Sequence, residues 1–158
     1  MSLTTSNELA EQYRILSIGF TEKSAEKFFN LLKLGNVKTL LDVRLQNTSQ
    51  LAGFAKRDDL RFFLKEICGI EYIEVPELYP EAKLLKDYKN KIIDWDYYEL
   101  KYLELLDRRS VQKTLISSVL NNSCLLCSEH KPHQCHRRLA IEYLNSQWNN
   151  RFMIEHLI

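Results

Sequence analysis

Short apolar, β-rich runs alternate with longer runs of helical period from residue 13 to the C-terminus, and this alternation constrains the fold more than any other feature of the chain. Ile15, Leu16 and Ile18 form the first run, broken by Gly19 as a buried strand entering a loop would be. Residues 24–33 follow with apolar positions at helical spacing, opened by Thr21 or Ser24 as N-cap and closed at Gly35. Residues 37–44 are too apolar for a strand with one wet face. A helix over 57–68, ending at Gly69, and a strand over 70–75 repeat the pattern. Residues 77–122 read as two or three helical pieces carrying Trp95, Tyr97, Tyr98 and Tyr102. Without interleaved glycine or strand periodicity, that aromatic stripe is core packing and not a base-stacking platform. A fourth strand over 123–127, a helix over 134–147 and a terminal strand over 151–158 complete the series. The expectation is a three-layer α/β fold, a mostly parallel sheet of about five strands with helices on both faces.

At 158 residues the chain is the size of one domain, and we expect residues 13–158 to form it behind a loose arm over 1–12. Twenty-two Lys and Arg against 21 Asp and Glu give a net charge of +1, so any basic site must be local. No apolar run is long enough to span a bilayer and no signal pattern opens the chain, which predicts a soluble, cytoplasmic protein without a membrane partner. In that setting its four Cys are thiols, ligands or catalytic groups before they are disulfides.

Three of the four Cys and three of the four His fall within residues 124–136. Together with Gly19 after the first strand, Asp42-Val43-Arg44 ending the second, and Pro76-Glu77-Leu78 after the third, the signature Cys127-x-Glu129 … Cys135-His136-Arg137 resembles the family catalogued as domain of unknown function 488. The resemblance runs from about residue 14 to the end. It implies the α/β fold and marks these positions, but supplies no reaction.

In a parallel sheet, ligands bind outside the carboxyl ends of the strands. Those ends carry Gly19, Asp42, Arg44, Cys127 and Glu129. Asp42 and Arg44, two apart, share a face, as ligand-binding groups or as an internal ion pair. Arg137 opens the stripe Arg137, Ile141, Leu144, Trp148 and should point inward, as an anion-binding group at a helix N-terminus or as structural glue. Arg138, four before Glu142, reads as a surface pair. Cys127 and Cys135 are candidate nucleophiles near positive backbone dipole, or else pack under the loop or form a redox-dependent pair, with His136 as acid or base and Glu129 as base, ion-pair partner or loop acid. The strand, Cys, loop, helix order is similar in outline to rhodanese-type sulfurtransferases and cysteine phosphatases, although ten positions separate Cys127 from Arg137 and no glycine intervenes. Zinc on Cys124, Cys127, Cys135 and His136 is the rival, with His130 and His133 as replacement ligands. Along a strand, however, Cys124 and Cys127 lie roughly 10 Å apart with opposite facings. No cofactor is therefore expected.

These residues point to an anion pocket for a small anionic compound such as a nucleotide or other phosphate-bearing molecule, with thiolate chemistry in it. The alternative is a non-enzymatic nucleic-acid-processing module with a structural or zinc-binding cluster, contacting phosphates through Lys56, Arg57, Arg61, Arg108 and Arg109.

Overall fold

The computed structural model describes residues 12–48 and 52–158, so the arm expected over 1–12 lies, apart from Gln12, outside them. Five strands, β1 (Tyr13–Gly19), β2 (Thr39–Asp42), β3 (Glu71–Glu74), β4 (Ser123–Cys127) and β5 (Phe152–Leu157), form one sheet in the order β3-β2-β4-β1-β5. Every neighbouring pair is parallel. The central strands are buried on both faces, with Leu16, Ile18, Leu125 and Leu126 wholly inaccessible, which is why their sequence shows no polar alternation.

Helices α1 (Ala25–Leu34) and α2 (Arg57–Phe63) cover one face, where Phe28, Leu32, Leu60 and Leu64 pack on Leu16, Ile18, Leu40 and Leu126. Burial of each such side chain stabilises the fold by about 2–3 kcal/mol. The stretch expected as several pieces resolves into α3 (Ala82–Lys89), α4 (Trp95–Arg109) and the single turn α5 (Val111–Thr114), with 3-10 turns on either side. The other face of the sheet receives α4 and α6 (His136–Gln147), through Tyr98, Tyr102, Ile141 and Leu144 on Ile15, Leu41 and Leu125. The aromatic stripe thus supplies core at Tyr98 and Tyr102.

Local signals act as their chemistry dictates. Ser24 Oγ accepts from the Lys27 amide at 3.1 Å and caps α1. The helix expected over 57–68 changes at Leu64 to a wider π turn and stops at Gly69, whose φ of 66° is left-handed. Helix α6 starts two residues later than its apolar pattern suggested, because Cys135 is extended (φ −142°, ψ 139°) and stands at the N-cap. Among the described residues no helix is long and apolar enough to cross a membrane.

Candidate functional site

Connections leaving β1 and β2 run to the α1/α2 face, whereas the one leaving β4 runs to α6 on the opposite face. A crevice opens between their carboxyl ends, the place where ligands enter such sheets. There Arg44, Gln46, Leu85, Tyr88, Lys89, Trp95, Tyr98, Cys127, Glu129, Gln134, Cys135 and His136 line a cleft of about 240 Å³. A shallower groove continues from it past Lys91 and Ile92, sharing Tyr88, Lys89, Trp95 and Gln134.

Strand alternation turns Leu125 and Cys127 toward α4 and α6, and Cys124 and Leu126 toward α1. Cys127 therefore meets Cys135 and His136, while Cys124 packs in the opposite core, where burial pushes its thiol pKa upward. The donor atoms of Cys127, Cys135 and His136 all lie within 4.8 Å of one another, and all three residues are buried. Such a group could hold a metal ion, but without the Cys124 sulfur it offers three ligands and not the four of a closed structural zinc site.

His136 Nε2 lies 2.7 Å from the Val43 carbonyl, which can only accept, so Nε2 carries a hydrogen and Nδ1 is the nitrogen left for the sulfur. Cys127 Sγ sits 3.5 Å from Nδ1 and 3.9 Å from Nε2, beside the ring. The electrostatics follow from this contact. A hydrogen bond from the Cys135 thiol, the His136 charge and Arg137 outweigh burial and hold the Cys127 thiol pKa well below the usual thiol range. Burial, together with its place as donor to Cys127, pushes Cys135 well above that range. Burial alone would lower His136, but the Cys127 charge and the Val43 carbonyl overcome it and raise the imidazole. A negative charge on Cys127 and a positive one on the His136 ring thus favour each other, and the Cys135 thiol is placed to donate to the Cys127 sulfur.

Arg137 points inward, as the stripe requires, and is fully buried. Its Nε donates to Ser17 Oγ at 3.1 Å, Nη1 to the Glu129 carbonyl at 2.5 Å and Nη2 to the His130 carbonyl at 3.3 Å. It thereby ties the connection after β4 to the sheet from behind the cleft, and Glu129 is held through its backbone while its exposed side chain lines the cleft. Ser17 Oγ, which accepts from that guanidinium, also lies within hydrogen-bond distance of His156 Nδ1, at 2.6 Å. Arg138 forms the expected surface pair with Glu142 at 2.9 Å.

Gly19 is required by close approach. A Cβ there would stand 1.6 Å from the Glu129 carbonyl oxygen and 3.1 Å from Arg137 Nη1, so its open face is filled by protein. Asp42 faces the α1/α2 layer, and both its oxygens are taken. Oδ1 accepts from Arg44 Nε at 2.9 Å, and Oδ2 accepts from Arg44 Nη2 at 2.8 Å and from the Tyr72 hydroxyl. Arg44 also donates to the Ala55 carbonyl at 2.8 Å, and of the couple it alone lines the cleft. The structure thus brings Arg44, Cys127, Glu129, Cys135 and His136 to one cleft, and sets Gly19, Asp42 and Arg137 behind it as supports.

Sequence reasoning did not find the Val43 carbonyl, Ser17, or the cleft wall from α3 and α4. A backbone oxygen leaves no trace in side-chain identity, and Tyr88 and Trp95 carry the same signal as core aromatics. The five basic residues considered for phosphate contact do not form one surface. Arg57 pairs with Asp58 and Glu74, Arg61 lies over Tyr72, Arg108 pairs with Glu81, and Arg109 donates to the Glu77 and Tyr79 carbonyls. Lys56 at the α2 N-cap, with Arg57 and Arg61 in α2, lies on one layer, and Arg108 and Arg109 in α4 lie on the other.

A family model described as domain of unknown function DUF488 matches residues 24–144. The chain belongs to the DUF488 family. The matched span of this DUF488 chain contains the cleft walls, β2, β4, the connection after β4 and nearly all of α6, and of the five strands β1 and β5 fall outside it. No curated protein and no solved structure matches the chain.

Proposed function

We propose that the protein is a thiol-dependent enzyme in which Cys127 attacks a small anionic compound held in the cleft. One observation carries this reading: a sulfur at the carboxyl end of the central strands lies beside an imidazole whose far nitrogen is fixed by a backbone carbonyl. That is the geometry of an activated nucleophile with its proton partner oriented by a third group. The cleft favours an anion through Lys89; Arg44 also lines it, with its charge paired to Asp42. Tyr88 and Trp95, tilted 61° to each other, put aromatic rings on the same wall. A nucleotide or other phosphate-bearing molecule suits this pairing of cation and ring, and the groove past Lys91 accommodates parts larger than the cleft.

The test is alkylation against pH. A thiolate exists above its pKa, so with Cys127 lowered its reaction with iodoacetamide should stay near its plateau through neutral pH and fall only in acid. Cys68, raised by burial, should react only at alkaline pH. Replacing His136 with Gln should slow Cys127 alkylation at pH 6 by about tenfold. Ordinary thiol behaviour of Cys127 would overturn the reading, and protection by added nucleotides would identify the ligand class.

A second reading has the 4.8 Å cluster in its favour, a metal held by Cys127, Cys135 and His136 Nδ1. Elemental analysis of protein purified without chelator separates the two. Three ligands suit an open zinc site with water in the fourth position and not a closed structural one, and the nucleophile reading expects less than about 0.1 zinc per chain. One zinc per chain would replace the nucleophile by a metal centre.

A further inference from the structure

We infer that the site is a two-thiol centre, with Cys135 as resolving thiol, and that it exchanges disulfides with small anionic thiol compounds. The inference rests on Cys127 as nucleophile and not on the phosphate-bearing ligand. Three observations carry it. Cys127 and Cys135 are both free, and their sulfurs lie within 4.8 Å of each other. They approach across a connection of seven residues, from a strand end to an extended N-cap, so one bond can join them without unwinding β4 or α6. Both line the same cleft as Lys89, so a disulfide entering it meets the two sulfurs and that cation together. The other two cysteines are outside this arrangement: Cys124 packs on the opposite face and Cys68 lies against the Phe29 carbonyl.

The steps balance. The Cys127 thiolate attacks one sulfur of a disulfide RS–SR′, forming a Cys127–SR bond and expelling R′S⁻, which takes the proton of the His136 imidazolium. The neutral imidazole then accepts the Cys135 proton as that thiol attacks Cys127 Sγ. A Cys127–Cys135 bond forms, RS⁻ leaves and collects the proton from His136. The small disulfide is reduced by two electrons to two thiols, and the protein dithiol is oxidised by two.

Oxidised glutathione, whose halves each carry net negative charge, is the probe. The full chain is mixed with it at pH 7, quenched in acid, and analysed by intact mass and peptide mapping. Wild type should lose two hydrogens and show a peptide joining Cys127 to Cys135, with no glutathione retained. Cys135→Ser should keep one glutathionyl group on Cys127, its release slowed by about 100-fold or more. Cys68→Ser should behave as wild type. The proposal is overturned if wild type retains glutathione on Cys127, or if the joined peptide never forms although iodoacetamide still labels Cys127 at neutral pH. In that second case the nucleophile reading stands and only the two-thiol centre falls. If Cys127 reacts with neither reagent, both fall. Should Cys135→Ser fail to fold, the wild-type peptide map alone decides.

Discussion

Replacing Arg137 with Met should lower stability by about 3 kcal/mol and slow Cys127 alkylation at neutral pH, whereas Arg138→Ala should change stability by about 0.5 kcal/mol or less. The two arginines are adjacent in sequence and opposite in consequence. A methionine side chain in place of Arg137 would fill similar volume but give up the hydrogen bonds to Ser17, Glu129 and His130, leaving buried acceptors unpaired. The substitution would also remove a cation that favours the Cys127 thiolate, so the thiol pKa moves up and less thiolate is present at a given pH. Urea unfolding measures the first effect and the alkylation profile the second. Lys in place of Arg137 should restore more of the reactivity than of the stability, since it returns the charge without the fork that holds two carbonyls and a hydroxyl. Equal loss of both with Lys would show that Arg137 acts on the sulfur only by holding its surroundings.

Gly19→Ala should lower stability by about 3 kcal/mol, or Tm by about 10 °C, and displace the connection after β4. The added methyl would sit at 1.6 Å from a backbone oxygen, a separation that no rotamer change relieves. Either β1 or residues 128–130 must move. Moving the latter loosens the Arg137 bonds, so the variant should also lose the low-pH alkylation of Cys127. An unchanged Tm with normal reactivity would mean that the Glu129 carbonyl is not held against β1. Gly53, whose added Cβ would meet nothing within 4 Å, is the control, with Gly53→Ala expected near neutral.

The legible parts of this protein were those encoded by side-chain period. Strand β4 could be bounded at both ends because an unbroken apolar run lies between polar residues, and the α6 stripe showed that Arg137 faces inward and Arg138 outward. Cys124 and Cys127 could be assigned to opposite faces by alternation alone. Asp42 and Arg44 show where that reasoning stops. Alternation gave them a common side, but Arg44 lies past the end of β2, where its guanidinium folds back on Asp42 and also reaches Ala55. No periodic rule governs an irregular connection. The tautomer of His136 depends on a carbonyl 93 residues away, and the cleft wall on how α3 and α4 dock, so both required coordinates.

The two sides of the cleft are written in separate stretches of this chain. The groups proposed to react all come from one short segment, 127–136, whereas the wall facing them is contributed by α3 and the start of α4, some 30 to 50 residues earlier. Substitutions at Leu85, Tyr88, Lys89 or Trp95 can therefore reshape what is admitted while the sulfur and its imidazole keep their setting on β2 and β4. On the proposed reading, the architecture would let the guest change through a surface that carries none of the reaction.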